Sequence, residues 1–415
     1  PDTDFKLKLL SASPTNLLAK DLNGNYFKID SNNDSQIQIS EAQQVSYLDV
    51  TFSSIDDLSG IENFTNLLYL KIDNNYLTSI EVSSLINLIH LSCTNNSLTS
   101  LNVSTLTNLE DLNFSNNLIS NIVLTNLTNL KFLSCDNNSL TTLDTSTLIN
   151  LETLFCSSNQ LTSLDLSQNI ILEWLRCFQN QLTNLNVMGL TNLSSFDCHN
   201  NQLTTLDVSG CQNLGLFLCF NNQLTNLNLT GCVNLNRLEC YSNQLTSLDL
   251  FDKINLRYLE CGNNNLTSLD ISGCTNAYEF DLSCGANQLL YLNLKNGNRT
   301  VPINFEQNPN LKYICADENE ISTVQSEINS IGYPFATTCH VNTYCSFVPG
   351  GIYYDILGTS KLDFNNNGCD DTDVNYSNLR YNITNGTTSG SIISNQTGNY
   401  HLPVSAGNYT LTPIP

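Results

Sequence analysis

The chain is predicted to fold as a solenoid of about thirteen stacked coils with a parallel β-sheet on its concave face, an N-terminal cap and a C-terminal β-sandwich. Three observations predict it. From Asn66 to Thr275 the sequence divides into ten consecutive units of 21 residues. Most read approximately N-L-x-x-L-x-C-x-x-N-x-L-T-x-L-x-V-S-x-L-T, and the L-x-x-L-x-C stretch has the alternation of a strand. After about residue 345 the period is lost and short alternating runs replace it. A unit this small cannot bury its own apolar face, so neighbouring units must stack and share one core.

Residues 1–43 precede the repeat and form the expected N-terminal cap. Within it, residues 30–41 read D-S-N-N-D-S-Q-I-Q-I-S-E, with the oxygen-bearing residues spaced as in an EF-hand calcium loop. Asp30, Asn32 and Asp34 would supply side-chain oxygens, Gln36 its backbone carbonyl and Glu41 a bidentate carboxylate. Ser35 stands where glycine is expected for a left-handed turn, at a cost of about 1–2 kcal/mol. The alternative is an Asx-rich turn that opens the cap.

The solenoid is expected over 44–345. A 22-residue unit from about Gln44 carries Val45, Leu48, Val50 and Ile55. Two irregular units follow the regular ones: one from Asn276, stretched so that its repeat Asn is Asn287, and one from Asn310 with Ile314, Asn319 and Ile321. The recurring Asn (for example Asn75, Asn159, Asn264) should form an inner ladder, its amide bonding backbone groups left unpaired where each coil turns. This pattern resembles leucine-rich-repeat proteins of internalin-like type, and the secreted surface proteins of Bacteroidetes among them. The resemblance covers about residues 1–345. It implies secretion and display at the cell surface, without identifying a partner.

Most of the sixteen cysteines obey the repeat. Cys93, Cys135, Cys156, Cys177, Cys198, Cys219, Cys240 and Cys261 share one inward position, which Ile72, Phe114 and Leu282 take in other coils. Cys211, Cys232 and Cys274 share a second. Stacked coils place such side chains about 4.8 Å apart and parallel, wider than a disulfide needs, so reduced apolar filler is expected. Cys315, Cys339, Cys345 and Cys369 are off-register. Four cysteines allow three connectivities, and a Cys315–Cys339 disulfide closing the last coil is the pairing expected first.

Residues 346–415 form the expected β-sandwich, entered through Pro349-Gly350-Gly351 and truncated at Pro415. Its runs Leu379–Ile383, Gly390–Ile393 and Asn408–Leu411 read as strands between Asn/Gly turns. A second calcium-type loop lies at 363–373, with Asp363, Asn365, Asn367, Asp371 and Asp373 as ligands and Val374 where the acid should stand. These features look like B-type repeat domains of bacterial surface adhesins and carboxypeptidase-regulatory-type sandwiches, which implies a spacer or stalk. The natural chain is expected to continue towards a sorting signal, and Pro1 to follow a removed signal peptide.

Fifteen Lys and Arg against 38 Asp and Glu, a net charge of −23, argue against nucleic acid. No apolar run approaches the ~18 residues of a membrane span. The four His are scattered in sequence and form no zinc spacing or recognisable triad, and an open sheet face excludes water poorly. The expectation is a binding protein rather than an enzyme.

The repeat register also places the binding site. Three outward columns run along the concave face, ending at Glu279, Asp281 and Ser283. Small polar residues fill the early coils, but Trp174, Arg176 and Phe178 emerge from one coil and Leu216, Leu218 and Phe220 from another two coils on. Phe132, Phe155, His199, Arg237, Tyr241 and Tyr258 surround them. Exposed aromatic and Arg residues on an open face mark an interaction surface, and acidic Glu239 and Glu260 could orient a cationic partner. The expected partner is a protein, in adhesion or as a subunit of a cell-envelope complex; the alternative is an extracellular polysaccharide stacked on the aromatic rings. Localisation is expected to be extracellular, secreted or at the cell surface.

Overall fold

The computed structural model describes every residue except Pro1, Tyr333, 346–351, Cys369 and Pro415. The expected boundary at 346, the Pro349–Gly351 entry and Cys369 therefore lie outside the described residues. The chain forms two compact units, Pro1–Asn222 and Gln223–Pro415.

In the first unit a helix spans Thr3–Leu10, started by Asp2, whose Oδ1 accepts from the N–H groups of Asp4 and Phe5 at 2.5 and 3.1 Å. The other Asp2 oxygen accepts from Asp56 and Asp57 N–H, which ties the cap to the first coil. Strand Ala19–Asp21 runs antiparallel to Val45–Asp49, and from there the strands are parallel. Each is about three residues long, from Tyr69–Lys71 to Leu216–Leu218, and each residue lies beside its equivalent in the next coil, as Leu154 lies beside Leu175. The middle residue of each strand is buried and its neighbours point outward, as alternation requires.

The expected Asn ladder is present. Asn159 donates to the carbonyls of Cys135, Cys156 and Ser157 at 3.0–3.2 Å and accepts from Leu140 N–H at 2.9 Å. One amide thus serves two coils. The residue before each ladder Asn is left-handed, with φ of 53° at Asn137 and 54° at Ser158. Asn tolerates that region better than most side chains, which explains the repeated Asn-Asn pairs.

In the second unit the parallel strands Arg237–Glu239, Tyr258–Glu260, Glu279–Ser283 and Arg299–Asn304 continue this design. Two expectations need correction here. Tyr258 pairs with Asp281 and Glu260 with Ser283, so the two-residue insertion precedes the strand. The ladder-cysteine position of that coil is therefore held by Cys284, Leu282 takes the buried mid-strand position beside Leu259, and Glu279 falls outside the columns. The next ladder residue is Asn308, which reaches the carbonyls of Cys284 and Phe305 at 3.1 and 3.0 Å. Asn319 has no part in it: Ile314 belongs to Tyr313–Cys315, a strand of a second parallel sheet beside Tyr291–Asn293, and Ile321–Ile331 is a helix. The apolar spacing fits either sheet equally well, so only hydrogen bonding between coils decides.

That second sheet runs Ser268–Asp270, Tyr291–Asn293, Tyr313–Cys315, His340–Asn342 and then accepts Ser389–Ile393 antiparallel, followed by Arg380–Thr384 and Thr410–Ile414. The C-terminal strands thus extend a sheet of the solenoid. Tyr354–Thr359 pairs with Asn399–Val404, and Leu402 and Val404 pack with Ile383, Ile392 and Tyr344 in a small core.

The repeat cysteines are buried and outside any disulfide, and burial pushes up the thiol pKa of several of them, Cys135 and Cys198 included. Among the described residues a disulfide joins Cys315 and Cys345, with Cα atoms 5.2 Å apart, and Cys339 is a free buried thiol, which corrects the expected Cys315–Cys339 pairing. Cys339 directly precedes strand His340–Asn342, where Tyr313 pairs with His340 and Cys315 with Asn342. Cys339 thus lies three positions from the residue opposite Cys315, too far along the strand direction for a bridge.

Candidate functional site

The open face of the first unit is built from the outward residues of its three-residue strands. Leu175 anchors one strand in the core and projects Trp174 and Arg176 to solvent; Trp174 is 52% exposed. The Arg176 guanidinium lies 4.5 Å from the centre of the Phe155 ring, and Phe155 meets Phe132 edge-on at 5.7 Å. Beyond each strand Phe178, His199 and Phe220 form one file, with ring centres 4.4 and 4.3 Å apart and planes within 12° of parallel. His199 Nδ1 sits 2.5 Å from Asp197 Oδ1, which fixes the middle ring. Leu216 and Leu218 are half-buried.

The structure brings these predicted residues together, but as neighbours that partly cover one another. Both faces of His199 are occupied, by Phe178 and by Phe220, whereas Trp174, on the strand of the same coil as Phe178, stays exposed. Burial raises the pKa of Asp136, which accepts from Ser157 N–H beside this surface. A second aromatic row lies among the early coils, where small polar residues were expected. Tyr47, Tyr69 and His90 follow one another with ring centres 6.3 and 5.9 Å apart. Their spacing of 22 and 21 residues held the signal, but Tyr47 preceded the regular units.

In the second unit Arg237 lies over the Tyr258 ring, 3.7 Å from its centre, and bonds Glu239 through Nη2 and Nε at 2.5 and 2.7 Å. The Tyr258 hydroxyl donates to Glu260 at 2.5 Å. Burial, then the adjacent Glu260, raises the Asp281 carboxyl above its usual range. Tyr241 faces the same cleft as Glu260. In the other sheet of this unit His340 meets His401 of Asn399–Val404, a residue distant in sequence, with rings 5.5 Å apart, and His401 Nε2 lies 2.8 Å from Asp355 and 3.1 Å from the Tyr313 hydroxyl.

The first calcium-type loop has an all-oxygen donor set suited to a hard cation. Asn33 and Ser35 are left-handed, so Ser35 adopts the turn for which glycine was expected. Asp30 Oδ1 and Asn32 Oδ1 accept from Asp34 N–H, and Asp34 Oδ1 from Gln36 N–H. Glu41 is turned onto the loop's own backbone: Oε1 accepts from Ser31 N–H at 2.7 Å and Oε2 from Gln38 N–H at 3.1 Å. In the second loop both Asp363 oxygens accept from the N–H groups of Asn367 and Gly368, and Asn365 Oδ1 also takes Asn367 N–H. Asp371 lies 3.5 Å from Lys361, and Asp373 accepts from Asp370 N–H. Among the described residues no three acidic, His or Cys side chains form a metal-holding group.

No protein-family model and no curated protein matches the sequence. Solved structures do. The functional domain of InlJ from Listeria monocytogenes, which includes a cysteine ladder, aligns over 95% of this chain and 96% of its own, with 23% identity and a TM-score of 0.63. The leucine-rich-repeat protein LIC12759 of Leptospira interrogans covers 73% of this chain and 85% of its own, at 22% identity and TM-score 0.53. The internalin InlF of Listeria monocytogenes covers 79% and 87%, also at 22% and 0.53. At these identities the likeness speaks for the fold, and the fold is the leucine-rich-repeat solenoid of internalins, about thirteen turns with a period near 21 residues among the described residues.

Proposed function

We propose that the protein is a non-catalytic binding protein of the cell surface or exterior, which engages a protein partner through the Trp174 face in adhesion or envelope assembly. The observation that carries this reading is Trp174: a 52% exposed indole on the strand that also projects Arg176, in the coil that supplies Phe178 to the stacked Phe178–His199–Phe220 file. Large apolar groups on an open sheet face contribute nothing to the solenoid core, and Trp and Arg are the residues that dominate protein interfaces. The stacked file favours a protein over a polysaccharide. Sugar rings need free aromatic faces, and here the His199 faces are both covered. Calcium, held in the loops at 30–41 and 363–373, would stabilise the two ends rather than take part in binding.

The test is capture from cell-envelope extract in calcium buffer, comparing wild type with Trp174→Ala/Phe178→Ala/Phe220→Ala. A protein retained by wild type and lost by the triple variant, at matched melting temperature, supports the reading. Equal capture refutes it. Trp174 is the single tryptophan, so its emission should shift to the blue as the purified partner covers it. A glycan array that binds wild type but not the variant would favour the polysaccharide instead.

A further inference from the structure

The left-handed residue ahead of each ladder position forms a column that is polar along the first unit, as at Asn74, Asn95, Asn137, Ser158 and Gln179. Phe52 is the first member of that column. Its N–H bonds the Asp73 carbonyl at 3.1 Å, as Asn74 N–H bonds the Thr94 carbonyl at 2.9 Å in the next coil, and its φ is 53°. A bulky side chain is costly in this backbone region. Core packing does not offset the cost, because the Phe52 ring is 77% exposed. A second column holds the residue after each ladder Asn. In the first unit it reads Ser97, Leu118, Ser139, Gln160, Gln181 and Gln202, and Tyr76 is its aromatic member. Tyr76 is 67% exposed.

The two unusual rings come together. Both line one cleft of about 330 Å³, with Ser54, Asn74, Asn75 and Asn95. Asn75 is committed to the ladder, where it accepts from Ile55 N–H and donates to the Val50 and Ile72 carbonyls. Asn74 and Asn95 hold the next coil through their backbone N–H groups. Among the described residues their side-chain amides, and the hydroxyls of Ser54 and Tyr76, bond no other group of the chain. Neither Phe52 nor Tyr76 joins the aromatic row Tyr47–Tyr69–His90 of the same coils. In a chain of net charge −23, none of the residues lining this cleft is charged.

We infer that this cleft binds a pyranose unit of an uncharged glycan, with a C–H face of the sugar against the Phe52 or Tyr76 ring and its hydroxyls on the Asn74 and Asn95 amides. An amide supplies a donor and an acceptor together, which matches neighbouring sugar hydroxyls. A charged ligand would lose its hydration here without meeting a counter-ion, and a purely apolar side chain would leave the amides unpaired. The site shares no residue with the Trp174 face, so it adds a second ligand class to the proposed protein-binding role.

Affinity electrophoresis through native gels containing mannan, xylan or mixed-linkage β-glucan tests it. Phe52→Asn and Tyr76→Ser each install the residue that the next coil carries at the same position, Asn74 and Ser97. At least one of these polymers should retard the wild type, with each single variant binding about tenfold more weakly and the double variant unretarded. Phe52→Asn should keep or raise the melting temperature, because Asn tolerates left-handed backbone better than Phe. The Trp174→Ala/Phe178→Ala/Phe220→Ala variant should be retarded like wild type. Free migration of the wild type in all three gels, or equal retardation of wild type and double variant, would overturn the inference. So would a melting temperature that falls with binding in Phe52→Asn, which would make the ring structural. Loss of retardation in the Trp174 variant alone would place the glycan on the other face and overturn it as well.

Discussion

Acidification should loosen the second unit through one buried histidine. His340 opens the strand His340–Asn342, is 7% exposed, and its Nδ1 has no hydrogen-bond partner. The His401 ring stands edge-on to it at 5.5 Å. Burial first, and then the nearby His401, lower its pKa from 6.5 to about 4. The folded value lies below the unfolded one, so folding favours the neutral ring. Its contribution is complete above about pH 6.5 and is lost as pH falls towards about 4. At 1.36 kcal/mol per pH unit the full loss is about 3 kcal/mol, of which about 2 kcal/mol is gone by pH 5. The assay is urea unfolding at pH 7 and pH 5 for wild type and His340→Phe, which keeps an aromatic ring but cannot take a proton. Carboxylates such as Glu320, raised by burial, titrate in both proteins and cancel in the comparison. Wild type should lose about 2 kcal/mol more than the variant between these pH values. Equal losses would refute the reasoning.

Three further outcomes follow from the same geometry. Asn159→Ala leaves Leu140 N–H and the Cys135 and Cys156 carbonyls without their shared partner, at a cost of about 2–4 kcal/mol; faster amide exchange confined to those coils checks it. Reducing Cys315–Cys345, which closes a 30-residue segment, should destabilise the C-terminal end by about 3–4 kcal/mol on the loop-entropy estimate, read as a lower urea midpoint with reductant. Calcium at ten times its Kd should stabilise the N-terminal cap by about 1.4 kcal/mol, and Asp30→Asn/Asp34→Asn should abolish the gain; a calorimetric titration showing no binding to wild type would refute that site.

The solenoid was legible because its cause is local and repeated. Each Leu, each ladder Asn and each ladder Cys recurs at 21 residues, and any stacking that buries them must place equivalent residues side by side. The outward columns follow from the same register, which is why Trp174, Arg176, Phe178 and Phe220 could be assigned to one face from sequence alone. The register failed where the period did. A two-residue insertion ahead of Phe280 exchanges Leu282 for Cys284, because alternation permits either and only the hydrogen bonds to the previous coil choose. The repeat at Asn310 was misplaced for the same reason: its strand pairs with Tyr291–Asn293 in a different sheet. Contacts between residues distant in sequence belonged to tertiary structure entirely. Cys345 comes to Cys315 and His401 comes to His340 because the chain crosses the last coils before adding its final strands to their sheet. A repeat determines which residues share a face; the ending of a repeat is decided by what packs against the exposed edge.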